Sequence, residues 1–368
     1  MNKVVLFGYY GSANLGDETN LAQLVDYLKQ LRPELSIAVI TADPEETAKK
    51  FSVEAIPKFN FRQIFKVFQE ADCLIGGGGT LFQDRSSLRS LLYYLLIIVI
   101  AKISKLKVFL YGQGIGPIKS RIGRILTRYI LSTVDMMTVR DRLSIIALVE
   151  LNIHKPELFF TTEPLLCFDP QPGQSVAEFW ENQPLNPQRK QKLGLIIRES
   201  TGLKFDFWRD LLENLSWNKN LELFLLVIDA QDSELNTSLA IELDLHLFKI
   251  AAWEQLQLIV GGLDLVISSR LHGLVAAVVQ NVAAFGLAVD PKIEGFCLQL
   301  GIPFVLLTED YDRLALVKKI NKLLMELTDE QLSWLDQKDY WKVRALENQT
   351  ILKQFLNNLF NDDQKSNS

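Results

Sequence analysis

Two basic side chains and a histidine mark the part of this sequence best suited to chemistry. In SSRLHGLVAAV, residues 268–278, Arg270 and His272 stand two apart, where an apolar run (DLVIS, 264–268) meets a small-residue helical pattern. One strand later, VDPKIEG (289–295) adds Lys292 beside Asp290. A strand, a crossover helix and a parallel strand carry their loops to one edge of a sheet, so these residues are expected to converge. Two fixed cations and one group titrating near neutrality suit a small, multiply charged anion that exchanges a proton. Each arginine bond to a desolvated carboxylate or phosphate is worth about 1.5–3 kcal/mol. The plainer reading of His272 is a histidine opening a helix and bonding its backbone. Neither His154 nor His246 has a comparable setting.

Four further strand ends lie earlier in the chain. GYYGSANLGDE (8–18) has three glycines that permit tight backbone, and Asp17 is expected to cap a helix starting at Glu18. It reads either as a capped turn or as a site where Asn14 and Asp17 face a polyol. In IGGGGTLFQD (75–84), four glycines after a strand are expected to leave backbone N–H groups bare, which favours anions or close packing to a ligand. No Gly-Lys-Ser/Thr follows, so it is not a P-loop. YGQGIGP (111–117) repeats the pattern with Gln113 as an uncharged hydrogen-bonding side chain. In TVRDRLS (138–144), Arg140 closes a strand and Asp141 caps the next helix. Such an arginine serves either an ion pair or a ligand.

The elements that position these ends alternate between apolar strand runs and helical patterns. Strands are expected at 3–10, 36–41, 52–56, 72–77, 107–113, 136–141 and 158–162, then at 192–198, 222–228, 246–250, 264–268 and 282–288. The fold class is therefore α/β, with two doubly wound Rossmann-like domains of parallel sheet expected to face each other across a cleft. Residues 1–165 form the first domain. A proline-rich linker (166–190) leads to the second domain (191–327), followed by a helical segment (328–360) that returns to the first, and a disordered tail (361–368).

Composition agrees. The chain has 368 residues, enough for two cores, with 48% hydrophobic and 23% charged residues and a net charge of −5. That balance argues against a nucleic-acid partner. Cys73, Cys167 and Cys297 form no C-x-x-C pair, and no H-E-x-x-H occurs, so no metal site is expected. The absence of a signal-like N-terminus points to a cytoplasmic location. LLYYLLIIVIA (91–101) is 11 residues long, short of the ~20 needed to span a bilayer. A buried helix is expected there, with peripheral contact to the inner membrane face as the other reading.

Taken in order, GYYGSANLGDE, GGGGTLFQDRSSLRSLLYY, YGQGIGP, VRDRLS, SRLHG and DPKIEGF resemble the polysaccharide pyruvyl transferase family, in its bacterial cell-wall and exopolysaccharide branch. The resemblance covers roughly residues 3 to 302. It implies a fold similar to B-type glycosyltransferases. It also implies transfer of the pyruvyl group of phosphoenolpyruvate (PEP) to two sugar hydroxyls, with a cyclic ketal formed and phosphate released. PEP would be a donor substrate and no cofactor or metal would be needed. Arg140, Arg270, Leu271 (through its N–H), His272 and Lys292 are then the expected PEP contacts, with His272, Arg270 and Lys292 catalytic and His272 either acid or base. Asn14, Asp17, Gly78, Thr80, Gln83, Asp84 and Gln113 are the expected acceptor contacts. The acceptor would be a sugar or a lipid-linked glycan. Two positions depart from the family pattern: Glu163 precedes Pro164 in place of Asp, and Val289 replaces a tyrosine. A nucleotide-sugar glycosyltransferase or a non-catalytic sugar-binding protein are the competing readings.

Overall fold

The computed structural model describes residues 2–85, 87–168, 174–189, 191–199, 203–326 and 337–366. The chain divides into two compact units, Met1–Phe168 with Lys342–Ser368, and Asp169–Trp341.

The first unit runs β1 (Lys3–Phe7), α1 (Leu15–Leu31), β2 (Ser36–Thr41), α2 (Pro44–Phe51), β3 (Glu54–Pro57), α3 (Phe61–Glu70) and β4 (Cys73–Gly76). It continues through β5 (Gly79–Phe82), α4 (Leu88–Ile103), β6 (Lys107–Ile115), α5 (Arg121–Leu131), β7 (Met136–Val139), α6 (Arg142–Glu150) and β8 (Glu157–Phe160). The sheet order is β3-β2-β1-β4-β6-β7-β8, with β5 added beside β6, and all pairings are parallel. Strands such as VVLF and CLIG are apolar on both faces because helices cover both. On one face, α3, α4, α5 and α6 bury Ile64, Val67, Phe68, Leu95, Ile98, Leu131 and Leu148 against the sheet. On the other, Leu21, Leu24, Val25 and Leu28 of α1 share a core with Phe109 and Phe355. Side chains of Asn14, Asp43, Asn60, Ser87, Ser120 and Asp141 cap α1 to α6, each contributing about 1 kcal/mol.

The second unit comprises α7 (Val176–Glu181), β9 (Gln191–Ile196), α8 (Phe205–Ser216), β10 (Leu221–Val227), α9 (Ser233–Leu243), β11 (His246–Lys249) and α10 (Trp253–Val260). Then follow β12 (Leu265–Ser268), α11 (Leu271–Val279), β13 (Ala283–Ala288), α12 (Pro291–Leu300), β14 (Phe304–Leu306) and α13 (Arg313–Met325). Its parallel sheet has the order β11-β10-β9-β12-β13-β14. A last helix, α14 (Lys338–Ser366), places Ile351, Leu352, Phe355 and Leu356 in the first unit's core.

Several expectations change. The Gly-rich run is not wholly a loop: Gly79–Phe82 pairs with β6 as β5, and the Gly77 N–H donates to the Phe7 carbonyl at 2.9 Å. Phe304–Leu306 is a further strand, three residues long and without a readable period. Helix α1 begins at Leu15, with Asn14 as its cap in place of Asp17. Within the expected linker, α7 carries Trp180, whose ring stands edge-on to Phe224 at 5.0 Å and is buried in the second unit. Aromatic packing there overrides the proline-rich composition. At the C-terminal end, α14 continues to Ser366, where a disordered tail from 361 was expected. The run at 91–101 is part of α4, with Leu91, Tyr94, Leu95, Ile97, Ile98 and Ala101 buried. Among the described residues no helix is long and apolar enough to cross a membrane.

Candidate functional site

In the second unit the strand order reverses between β9 and β12, and ligands in such sheets lie beyond the strands' carboxyl ends at this point. The two strand ends are tied together. The Ser269 N–H donates to the Ile196 carbonyl at 2.9 Å, and the Arg198 N–H donates to Ser269 Oγ at 2.7 Å. Arg270 follows as the residue before α11, and Leu271 and His272 are that helix's first two residues. Leu271 is buried, and its N–H belongs to the first turn, where helix donors lack helical acceptors. His272 is half-buried. Lys292 lies in the first turn of α12 on the neighbouring β13 connection, its N–H donating to the capping Asp290 Oδ1 at 3.1 Å.

Three residues outside the sequence-based set join this edge. Asp229 and Asp232, just beyond β10, grip Arg270 from two sides. Arg270 Nη1 is 2.7 Å from Asp229 Oδ2, Nη2 is 2.7 Å from Asp232 Oδ2, and Nε donates to Asp232 Oδ2 at 2.8 Å. Asp232 also accepts the Glu199 N–H at 2.9 Å. Burial pushes the Asp232 carboxyl above its ordinary value, with Asp229 adding to this and Arg270 opposing it. Arg198 closes β9 and reaches Asp290 at 3.5 Å. The same strand-end rule that singled out Arg140 would have found Arg198. The two aspartates carried no local signal, because the sheet order alone brings β10 near β12. Asp229 and Asp232 therefore fix the orientation of the Arg270 guanidinium at this edge.

The first unit's edge is built differently. Arg140 is 4% exposed and Glu163 1%. Arg140 Nη1 donates to Glu163 Oε2 at 2.6 Å and Nη2 to Thr80 Oγ1 at 2.8 Å. Burial opposes the arginine's charge, but the carboxylates of Glu163 and Asp141 outweigh it and hold its pKa above the ordinary value. Arg140 thus lies in a buried ion pair, and Glu163, at a position departing from the family pattern, is the partner.

Gln113 is fully buried and donates to the carbonyl of Gly77, so it shapes the glycine loop and does not face a sugar. A side chain at Gly78 would come within 2.6 Å of Asn20 Oδ1, and Gly79 has a φ of +124°, which only glycine adopts readily. Asp84 accepts the N–H groups of Lys119 and Ser120, each at 2.7 Å, and stays partly exposed. Its pKa is lowered: burial acts to raise it, and the bonds from Ser120 and Lys119 prevail. Asn14 accepts the Asp17 N–H at 3.3 Å. Asn14, Asp17, Thr80 and Gln83 remain partly exposed at this edge. Burial pushes the thiols of Cys167 and Cys297 up to about 12, which makes them poor nucleophiles.

Two Rossmann-like parallel-sheet units place the chain among proteins of the B-type glycosyltransferase architecture. HepE of Anabaena, in complex with UDP and glucose, is similar in structure with a TM-score of 0.62 at 11% identity, covering 97% of this chain and 100% of that one. UDP-GlcNAc 2-epimerase from Methanocaldococcus jannaschii gives 0.58 at 9% identity over 87% and 92% of the two chains. A glycosyltransferase from Rickettsia africae gives 0.60 at 12% identity over 98% of each. At these identities the likeness shows the fold alone. No curated protein sequence matches the chain. The sequence profile described as polysaccharide pyruvyl transferase matches residues 14–291, and the chain belongs to that family. It is thus a polysaccharide-modifying transferase.

Proposed function

We propose that this enzyme transfers the pyruvyl group of PEP to two hydroxyls of a sugar in a cell-surface polysaccharide or its precursor. The observation that carries the reading is the family match over residues 14–291, which takes in Arg270 and His272 and stops one residue before Lys292. PEP brings a carboxylate and a phosphate on three carbons. Arg270, held by Asp229 and Asp232, and Lys292 on the adjacent turn are the donor contacts, with Arg198 and the Leu271 N–H beside them. Arg140 is left out, because its side chain is only 4% exposed, against 12% for Arg270.

The reaction balances without an external proton source. One hydroxyl adds to the central carbon of PEP as the methylene carbon takes a proton. The second hydroxyl then displaces phosphate, forming the second C–O bond as the C–O bond to phosphorus is lost. One hydroxyl proton ends on the new methyl group and the other on phosphate. His272 is the group that handles the first of these, since an imidazole near neutrality can accept a proton from oxygen and return one to carbon. The cations stabilise the charge that develops on carboxylate and phosphate. Asn14, Asp17, Thr80 and Gln83 are the acceptor contacts in the first unit.

The test is phosphate release from PEP by chelator-treated protein with a panel of glycan acceptors. Release that depends on an acceptor is expected. No release across the panel, with no PEP binding by calorimetry, ends the proposal. His272→Ala should lower turnover about 10²–10⁴-fold while largely keeping PEP affinity. A second reading, a nucleotide-sugar glycosyltransferase, draws on the UDP complex of HepE, and binding of UDP in place of PEP would favour it.

A further inference from the structure

Helices α3, α4, α5 and α6 form one layer over the first sheet, and their outward sides are unusual in two independent ways. The first is charge. Between Lys58 and Glu150 the sequence has fourteen Lys and Arg and six Asp and Glu, in a chain whose net charge is −5, and Lys102 and Lys107 pair with Asp135. None of these four helices has an acidic residue in its first turn, whereas α1 and α2 have Asp17, Glu18, Glu45 and Glu46 there. In place of acids, the layer's helices begin with Arg62, Arg89, Arg121 and Arg142, all exposed. Helix N-termini favour anions, so cations at all four are placed against the local preference. In α3 and α6 the reversal is complete, with Glu70 and Glu150 as their last residues.

The second is apolar exposure. Phe61 and Phe65 on α3, Leu96 and Ile103 on α4, Ile122, Ile125 and Tyr129 on α5, and Ile146 and Val149 on α6 are all exposed. They recur at helical spacing beside the cations: Phe61–Arg62 and Phe65–Lys66 in α3, Arg121–Ile122, Arg124–Ile125 and Arg128–Tyr129 in α5. Phe59, before α3, is 69% exposed although its ring meets Tyr93 edge-on at 5.7 Å, and Lys58 Nζ stands 5.2 Å from that ring. The apolar run of α4 itself is turned to the core, so the exposed set comes from the whole layer and not from residues 91–101 alone.

We infer that this layer is a docking face for a bilayer surface containing anionic phospholipid. Phosphate headgroups complement the arginines, and the interleaved aromatic and aliphatic side chains enter the headgroup boundary. A nucleic acid would use the same cations but would leave the Phe, Ile and Val side chains without a partner. Helices of parallel α/β units begin at the carboxyl edge of the sheet, so Arg62, Arg89 and Arg121 lie on the edge that carries the glycine loop. The inference stands apart from the reaction assigned above.

The test is sedimentation of the full chain with phosphatidylcholine vesicles, with and without phosphatidylglycerol. Binding is expected only where phosphatidylglycerol is present, and it should weaken as salt screens the charges. The combined variant Arg62→Glu, Arg121→Glu, Arg128→Glu should lose at least about tenfold in vesicle affinity. The milder Arg62→Gln, Arg121→Gln, Arg128→Gln and the pair Phe59→Ser, Ile122→Ser should each weaken it while keeping the wild-type melting temperature. No binding to either vesicle at low salt overturns the inference. So does equal binding by wild type and the charge-reversed variant, or retention on duplex DNA without vesicle binding. Vesicle binding by a protein that releases no phosphate would overturn the reaction and leave the docking face standing.

Discussion

The two sheets share a topology, yet their carboxyl edges use arginine in opposite ways. In the first unit, Arg140 is buried with Glu163 and braces Thr80 beside the glycine loop. In the second, Arg270 sits between Asp229 and Asp232 with its side chain 12% exposed, next to His272 and near Arg198 and Lys292 on adjoining turns. One arginine lies almost wholly inside the unit, and the other keeps part of its side chain at the edge. The difference teaches that position at a strand end does not assign a role. Both arginines are paired with carboxylates, and what differs is how far each side chain is withdrawn from solvent, 4% exposed for Arg140 and 12% for Arg270.

The sharpest way to break this contrast is Glu163→Gln, which leaves buried Arg140 with only Asp141, at 3.6 Å, to offset its charge. A loss of about 3–5 kcal/mol in unfolding free energy is expected, read by urea denaturation. A loss within experimental error would move Arg140 into the same class as Arg270. The counterpart is Asp232→Asn, which keeps the shape but loosens Arg270. Here about a tenfold fall in kcat/KM for PEP is expected, since misplaced groups lose rate before they lose the fold. A change in stability with no change in kinetics would mean that the aspartates serve packing alone.

Asp84→Asn is the smallest effect and concerns pH. The carboxyl's folded pKa lies below 3.8, so its contribution is present above that value and is lost as pH falls through the folded pKa. Wild type should therefore exceed the variant in melting temperature at neutral pH, and the gap should close in acid. A gap that does not narrow as pH falls would assign the effect to something other than the bonds from Lys119 and Ser120.

Much of this was legible in the chain. The strand runs, the helices between them and the strand-end position of Arg270, His272 and Lys292 follow from local pattern and from the handedness of parallel crossovers. Four things were not. Strand β5 was hidden because GGGG carries no period and its pairing comes from β6. Helix α7 was hidden because its stability rests on Trp180 meeting Phe224, forty-four residues away in the chain. The burial of Gln113 and Arg140 was not legible, because burial is invisible in a polar side chain's name. Asp229 and Asp232 read as loop residues because their partner lies two strands across the sheet.

The sequence by itself determined two Rossmann-like sheets, the family, and the turn on which His272 stands beside Arg270. These depend on interactions within a few residues or on a fixed handedness. Tertiary structure decided which charges are spent inside and which are offered at an edge. That choice depends on burial and on which strands become neighbours, and both are set by packing between segments far apart in the chain.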